Sequence, residues 1–181
     1  MNVFEILDHE HQVIARVLKV AQSCALRMAQ PGAAAEPVVP ELVEFCDQFI
    51  SQCHQVKEFR LFSRLLQKGR SSVVAPIVGL HAEHSRLAQL TESLDAAWRL
   101  AFGGQASARE LVAGYLAEYA AVMEAHILKE DRFYSVTDSI LEAADQLDLK
   151  TVFNQVEQET LGADGRERYC RWADQLADTP L

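Results

Sequence analysis

Two ten-residue stretches, HQVKEFRLFS at 54–63 and HILKEDRFYS at 126–135, share His, Lys, Glu, Arg and Ser at the same offsets. In a helix, His and Glu four residues apart lie ~40° apart around the axis and ~6 Å apart along it. His54 with Glu58, and His126 with Glu130, can therefore each approach a single point. A Glu-His dipeptide precedes each stretch, Glu10-His11 and Glu83-His84. His11 lies 43 residues before His54, and His84 lies 42 before His126. The chain thus reads EH…HxxKE twice, as two halves of a pseudo-twofold structure facing one centre would.

Each of these histidines shares its helix face with apolar residues. Phe4, Leu7, Ile14 and Leu18 accompany His11, while Ile50, Leu61 and Leu65 surround His54 and Glu58. Ile77, Leu80 and Leu87 accompany His84, and Val122 and Phe133 flank His126 and Glu130. A single core histidine is ordinarily a hydrogen-bonded residue, and HxxxE is a common surface pair. Six positions that agree in face, register and repeat order point instead to a shared ligand. Four buried imidazoles and two buried carboxylates are costly unless something satisfies them. A transition metal does so. Nitrogen with carboxylate oxygen suits iron, manganese or zinc, and two bridging carboxylates suit a pair of metals ~3.5–4 Å apart.

Helices must position these residues. Asn2 with Glu5 has the form of an N-terminal capping box, for a helix reaching about Met28. QPGAAAEPVVP, residues 30–40, is a breaker-rich connection. Pro40 suits the first turn of a second helix ending near Lys68-Gly69. Pro76 opens a third that stops at Gly103-Gly104, and Ser107 with Glu110 predicts a capping box for a fourth, running to about Ser135. Shorter segments follow near 138–147 and 150–161, and a last one after Asp164. No stretch alternates with the period of a strand. The expectation is an all-α protein: an up-down-up-down four-helix bundle over residues 1–136, with a short C-terminal helical extension over 137–181 packed on it.

The composition narrows the function. A net charge of −9 and a pI near 5.1 argue against a nucleic-acid partner, which needs clustered Lys and Arg. No uncharged apolar run approaches the ~18 residues of a membrane span, and the acidic start lacks the features of a signal peptide, so a cytoplasmic chain is expected. Cys24, Cys46, Cys53 and Cys170 form no CxxC pair and are expected to be free thiols. A monomer or weak homo-oligomer is expected.

EH on the first helix, HxxKE followed by LF on the second, EH on the third and HxxKE on the fourth resemble the hemerythrin-like (HHE cation-binding) family over about residues 3–136. The resemblance implies a four-helix bundle with a non-haem di-iron centre. By it, His11, His54, His84 and His126 would be terminal ligands, and Glu58 and Glu130 would bridge two iron ions beside an oxo or hydroxo group. Manganese or zinc stay open. Oxygen carriers of the family add HxxxH on the third helix and HxxxxD on the fourth. Here Leu80 and Ala88 flank His84 at the carrier spacing, and the fourth helix is read as HxxxE. The pattern is more similar to members linked to nitric oxide, peroxide or oxygen response and iron–sulfur protection, with a diatomic ligand or peroxide as partner. Sensing or storage of oxygen or iron, without turnover, is the alternative. Repair-type members often carry an extra N-terminal cysteine module, which this chain is expected to lack.

Several other residues bear on the site. His81, three before His84, is a candidate fifth imidazole or outer-sphere group. Asp47 and Tyr119, seven before His54 and His126, are candidates to line the pocket, to accept a ligand N–H, or to pack at its rim. His9 is expected to face solvent, and Lys57 and Lys129 to snorkel outward beside the ligands. Cys53, ~100° from His54 around the axis, is a weak candidate for redox coupling.

Overall fold

A computed structural model of the chain describes residues 1–30 and 37–178. The breaker-rich connection predicted at 30–40 falls mostly outside the described residues. Among the described residues the chain is all-α, with no strand. Helix α1 spans Val3–Met28, and its predicted capping box is present: Asn2 accepts from the Glu5 N–H while the Glu5 carboxylate accepts from the Asn2 N–H. One continuous rod follows, made of α2 (Val39–Glu44), a π-helical stretch (Phe45–His54) and α3 (Gln55–Gln67). Pro40 sits in its first turn as expected. The rod ends at Lys68, and Gly69 turns out of it at φ 72°, a left-handed conformation that glycine adopts without a Cβ clash.

Helices α4 (Val74–Phe102) and α5 (Ala108–Thr137) come next, followed by α6 (Ala143–Leu161) and α7 (Gly165–Asp178). Two local expectations change. Ser107 precedes α5 in a helical conformation, φ −64° and ψ −24°, and makes no capping bond. That geometry belongs to a turn running into the helix, where Ala108 N–H bonds Gln105 O. The two segments expected near 138–147 and 150–161 are one helix, α6, started by a capping box of Glu142 with Asp145.

Helix α5 packs against both α1 and α4, α6 against α3 and the π-helical stretch, and α7 against α1. The helix over Ala108–Ile140 is long and apolar enough to cross a membrane by length and composition alone, as core helices also are. Glu118 and Glu124 interrupt its apolar run, so the expected absence of a long uncharged span is not contradicted. Its buried Val112, Leu116, Met123 and Phe133 lie in the protein core.

That core has two apolar parts. One gathers Phe4, Leu7, Leu61, Phe62, Ile77, Leu80 and Phe133. The other gathers Ile14, Val17, Cys53, Leu87, Leu90, Ala120 and Met123. On each of the four helices the polar residues of the repeat fall between the two sets. A polar layer therefore crosses the molecule, sealed by hydrocarbon on either side.

Candidate metal centre

The layer is built by interlocking the two copies of the repeat. His11 comes from α1, His54 from the end of the π-helical stretch, Glu58 from α3, His84 from α4, and His126 and Glu130 from α5. Their ligand atoms form two groups that could each hold a metal ion: His11, His54, Glu58 and Glu130; and Glu58, His84, His126 and Glu130. Within each group the atoms lie within 4.8 Å of one another. Only the two glutamates belong to both.

The contacts are close but unsatisfied. His11 Nε2 lies 3.3 Å from Glu130 Oε2 and 3.7 Å from Glu58 Oε1. His54 Nε2 is 3.3 Å from Glu58 Oε1, and His126 Nε2 is 3.1 Å from Glu130 Oε1. His84 Nε2 is 3.3 Å from Glu58 Oε2 and 2.9 Å from His126 Nε2. Yet His11 Nε2, Glu58 Oε2 and both oxygens of Glu130 are buried without a hydrogen-bond partner. Buried polar atoms are rarely left so. Lone pairs of nitrogen and carboxylate oxygen, orphaned and converging, are the donor set that a divalent transition metal satisfies.

The glutamates of the EH dipeptides, to which the sequence assigned no role, cross to the neighbouring helix. Glu10 Oε2 lies 2.9 Å from His54 Nδ1, and Glu83 Oε2 lies 2.8 Å from His126 Nδ1. Asp131 Oδ1 lies 2.9 Å from His11 Nδ1. A carboxylate accepts only, so each ring carries its proton on Nδ1 and turns the Nε2 lone pair inward. The repeated lysines bind the same glutamates, Lys57 donating to Glu10 Oε1 at 2.5 Å and Lys129 to Glu83. The motif is thus a wiring pattern: each EH glutamate holds the His and the Lys of an HxxK on the next helix.

Asp131 also corrects the reading of the fourth helix. Five residues after His126, it supplies HxxxxD beside HxxxE, so α5 carries both spacings. Glu130 points into the cluster and Asp131 to the far side of His11. HILKED carries both spacings, and spacing alone does not say which carboxylate faces the cluster.

Tyr134, on α5, was not singled out from the sequence. Its buried hydroxyl donates to Glu58 Oε1. A cavity of about 250 Å³ lies outside Tyr134 and Asp131, lined also by Glu5, Asp8 and Asp138.

Other expectations meet mixed outcomes. His81 stacks its ring edge-on 6.0 Å from His84 and sits among Phe59 and Phe62, outside both metal-capable groups. Asp47 accepts from Gln48 and Gln52 and does not reach the cluster. The π-helical stretch explains why: its wider turns advance each residue by less than ~100°, so seven positions no longer return to one face. Tyr119 is buried in the apolar core beside Cys46 rather than at the cluster. His9 is half-buried instead of exposed. Lys57 does not snorkel: it is 1% exposed and ion-paired to Glu10 and to Glu157 of α6, whereas Lys129 does reach solvent. Burial pushes the Cys53 thiol up to about 12, so it is no ready thiolate. None of the four cysteines, all among the described residues, is in a disulfide.

The imidazoles and carboxylates of the cluster shift one another toward their charged forms. Burial disfavours charge on His84, but contacts with Glu130 and Glu58 outweigh it and raise the ring to about 9. Burial likewise pushes Glu58 up, and the imidazoles of His54, His11 and His84 more than reverse it.

Among known proteins, uncharacterised proteins of Mycobacterium bovis and of two strains of Mycobacterium tuberculosis are each 26% identical over 176 residues, covering 96% of this chain and 67% of the relative. No solved structure matches the chain. The hemerythrin HHE cation binding domain matches residues 2–135, the span that contains every residue of the cluster, and the chain belongs to that family.

Proposed function

We propose that this is a non-haem di-iron protein. His11 and His54 hold one ion, His84 and His126 hold the other, and Glu58 and Glu130 bridge the two. The observation that carries the reading is the overlap of the two metal-capable groups at those two carboxylates, whose buried oxygens otherwise lack partners. Dinuclear carboxylate sites in helical bundles use the same principle. An up-down-up-down order of the four ligand-bearing helices is part of the proposal. It is supported by one apolar cluster gathering the start of α1, the end of α3, the start of α4 and the end of α5.

Bound there, a pair of iron ions would supply redox chemistry toward nitric oxide, peroxide or oxygen. The chain's own part is positional. Glu10, Glu83 and Asp131 fix three imidazoles, Tyr134 orients Glu58, and the two apolar clusters keep bulk water from the layer. A net charge of −9 fits a small-molecule partner better than a polyanion. Metal analysis and optical titration of anaerobically purified protein with oxygen, nitric oxide and peroxide test the reading. Two irons per chain and oxidation by one of the three are expected. Failure to take up more than one iron per chain on anaerobic reconstitution would refute it.

A sensing or storage role is favoured by a different observation. Lys57 joins Glu10 beside His54 to Glu157 on α6, a partly buried link from the cluster to residues 137–181, which we read as an extension packed on the bundle. A sensor would alter amide exchange in α6 on loading or oxidation. Identical exchange in metal-free, reduced and oxidised protein would remove that reading.

A further inference from the structure

We infer that the two halves of the centre hold metal unequally, and that the His84–His126 half is the labile one. The inference rests on the dinuclear reading above. Its ground is a break in the repeat. Three of the four imidazoles have a carboxylate on Nδ1: His11 has Asp131, His54 has Glu10, and His126 has Glu83. His84 Nδ1 has none among the described residues. By the pseudo-twofold relation its partner should be the residue at the offset of Asp131, and that residue is Phe59. Phe59 accepts no proton, is 51% exposed, and lies against the His81 ring at 5.7 Å.

Coverage singles out the same ring. The His84 side chain is 11% exposed, against 4% for His11, 3% for His54 and 2% for His126. On the His54 side, the glutamate that fixes the ring is clamped by buried Lys57, itself covered by Glu157 of α6. On the His126 side the corresponding Lys129 is 55% exposed, so its hold on Glu83 is screened by water. Partners behind a ligand set its orientation and basicity, and losing one costs roughly 10–100-fold in metal affinity. The shared Glu58 and Glu130 serve both ions and cannot restore the difference.

The test is anaerobic titration of the metal-free protein with Fe(II) against a chromophoric chelator. Two binding steps separated by about ten-fold or more are expected. Phe59→Asp, which places a carboxylate behind His84 at a solvent-tolerant position, should tighten the second step about ten-fold and leave the first unchanged. Asp131→Ala should weaken the first step by about the same factor and close the gap. Should Asp131→Ala fold poorly, Asp131→Asn, which removes the charge and keeps an acceptor, should weaken the first step in the same direction by a smaller factor. Two ions bound with equal affinity, or an Asp131→Ala variant weakened only in its second step, would overturn the inference while leaving the dinuclear reading intact. No iron bound at all would overturn both.

Discussion

Lys57 and Lys129 occupy the same offset of the same repeat, and each donates to the glutamate of an EH dipeptide. One is sealed beneath α6 at 1% exposure and the other stands 55% in water. The wiring of the two halves is therefore alike while its energetic worth is not. A charged pair in water contributes little, because solvent already stabilises both ions. A buried pair contributes little net stability either, but breaking it is expensive, since the surviving charge stays desolvated. The comparison predicts unequal sensitivities to the same substitution. Glu10→Ala should cost about 3–5 kcal/mol in urea unfolding of the metal-free protein. Glu83→Ala should cost less, about 1–3 kcal/mol, because Lys129 is left in water and only the buried His126 ring loses its partner. Equal losses would mean that the coverage by α6 has no electrostatic consequence.

A second difference lies one turn beyond Glu58 and Glu130. Tyr134 and Phe62 share an offset in the two decapeptides, so only Glu58 receives a hydroxyl. Both oxygens of Glu130 are left without a donor. Tyr134→Phe removes a buried donor to a charged acceptor, worth about 1–3 kcal/mol in the metal-free protein. Combining Tyr134→Phe with Phe62→Tyr moves the hydroxyl to the other carboxylate, and should recover part of the loss. Unfolding free energies of the single and double variants decide it. A Tyr134→Phe protein as stable as the wild type would show that the hydroxyl is neutral and that the two glutamates are equivalent.

These differences also mark what could be read from the residues alone. The six converging side chains were legible because His and Glu at i, i+4 must share a face, and because the repeat set four helices in register around one centre. The interlock was half legible. The EH dipeptide was visible as a repeat, but its glutamate acts on the next helix, and no spacing within one helix reveals a contact between two. Asp131 was hidden by its neighbour, since HxxxED satisfies two motifs at once and only the backbone decides which carboxylate points inward. Asp47 was misplaced because its assignment assumed α-helical periodicity through Phe45–His54, where the helix is π. Lys57 looked like a solvent-seeking side chain because nothing local in HQVKEF tells that α6 will lie over it.

The contact that holds α6 there provides the smallest effect, and it too has no counterpart on the other half. Asp145 Oδ2 lies 2.5 Å from Lys68 Nζ and accepts from the Glu142 N–H, while Oδ1 lies 2.6 Å from Arg64 Nη1. Lys68, then Arg64, then the Glu142 N–H hold this carboxyl well below the ordinary aspartate range. A carboxyl depressed in the folded state contributes stability that is fully present above its unfolded value, about 3.9, and is lost as pH falls toward the folded value. Both cations are partly exposed, so the contribution is modest and salt-screened. Unfolding midpoints of wild type and Asp145→Asn should differ at pH ~6 and draw together progressively as pH falls below ~4. Amide exchange in α6 should rise over the same interval. Because Glu157 caps Lys57 from that helix, the loosening should reach Glu10 and His54 before it reaches Glu83 and His126. Parallel stability curves across that interval would mean that packing alone, and not Asp145, keeps α6 over the His54 half.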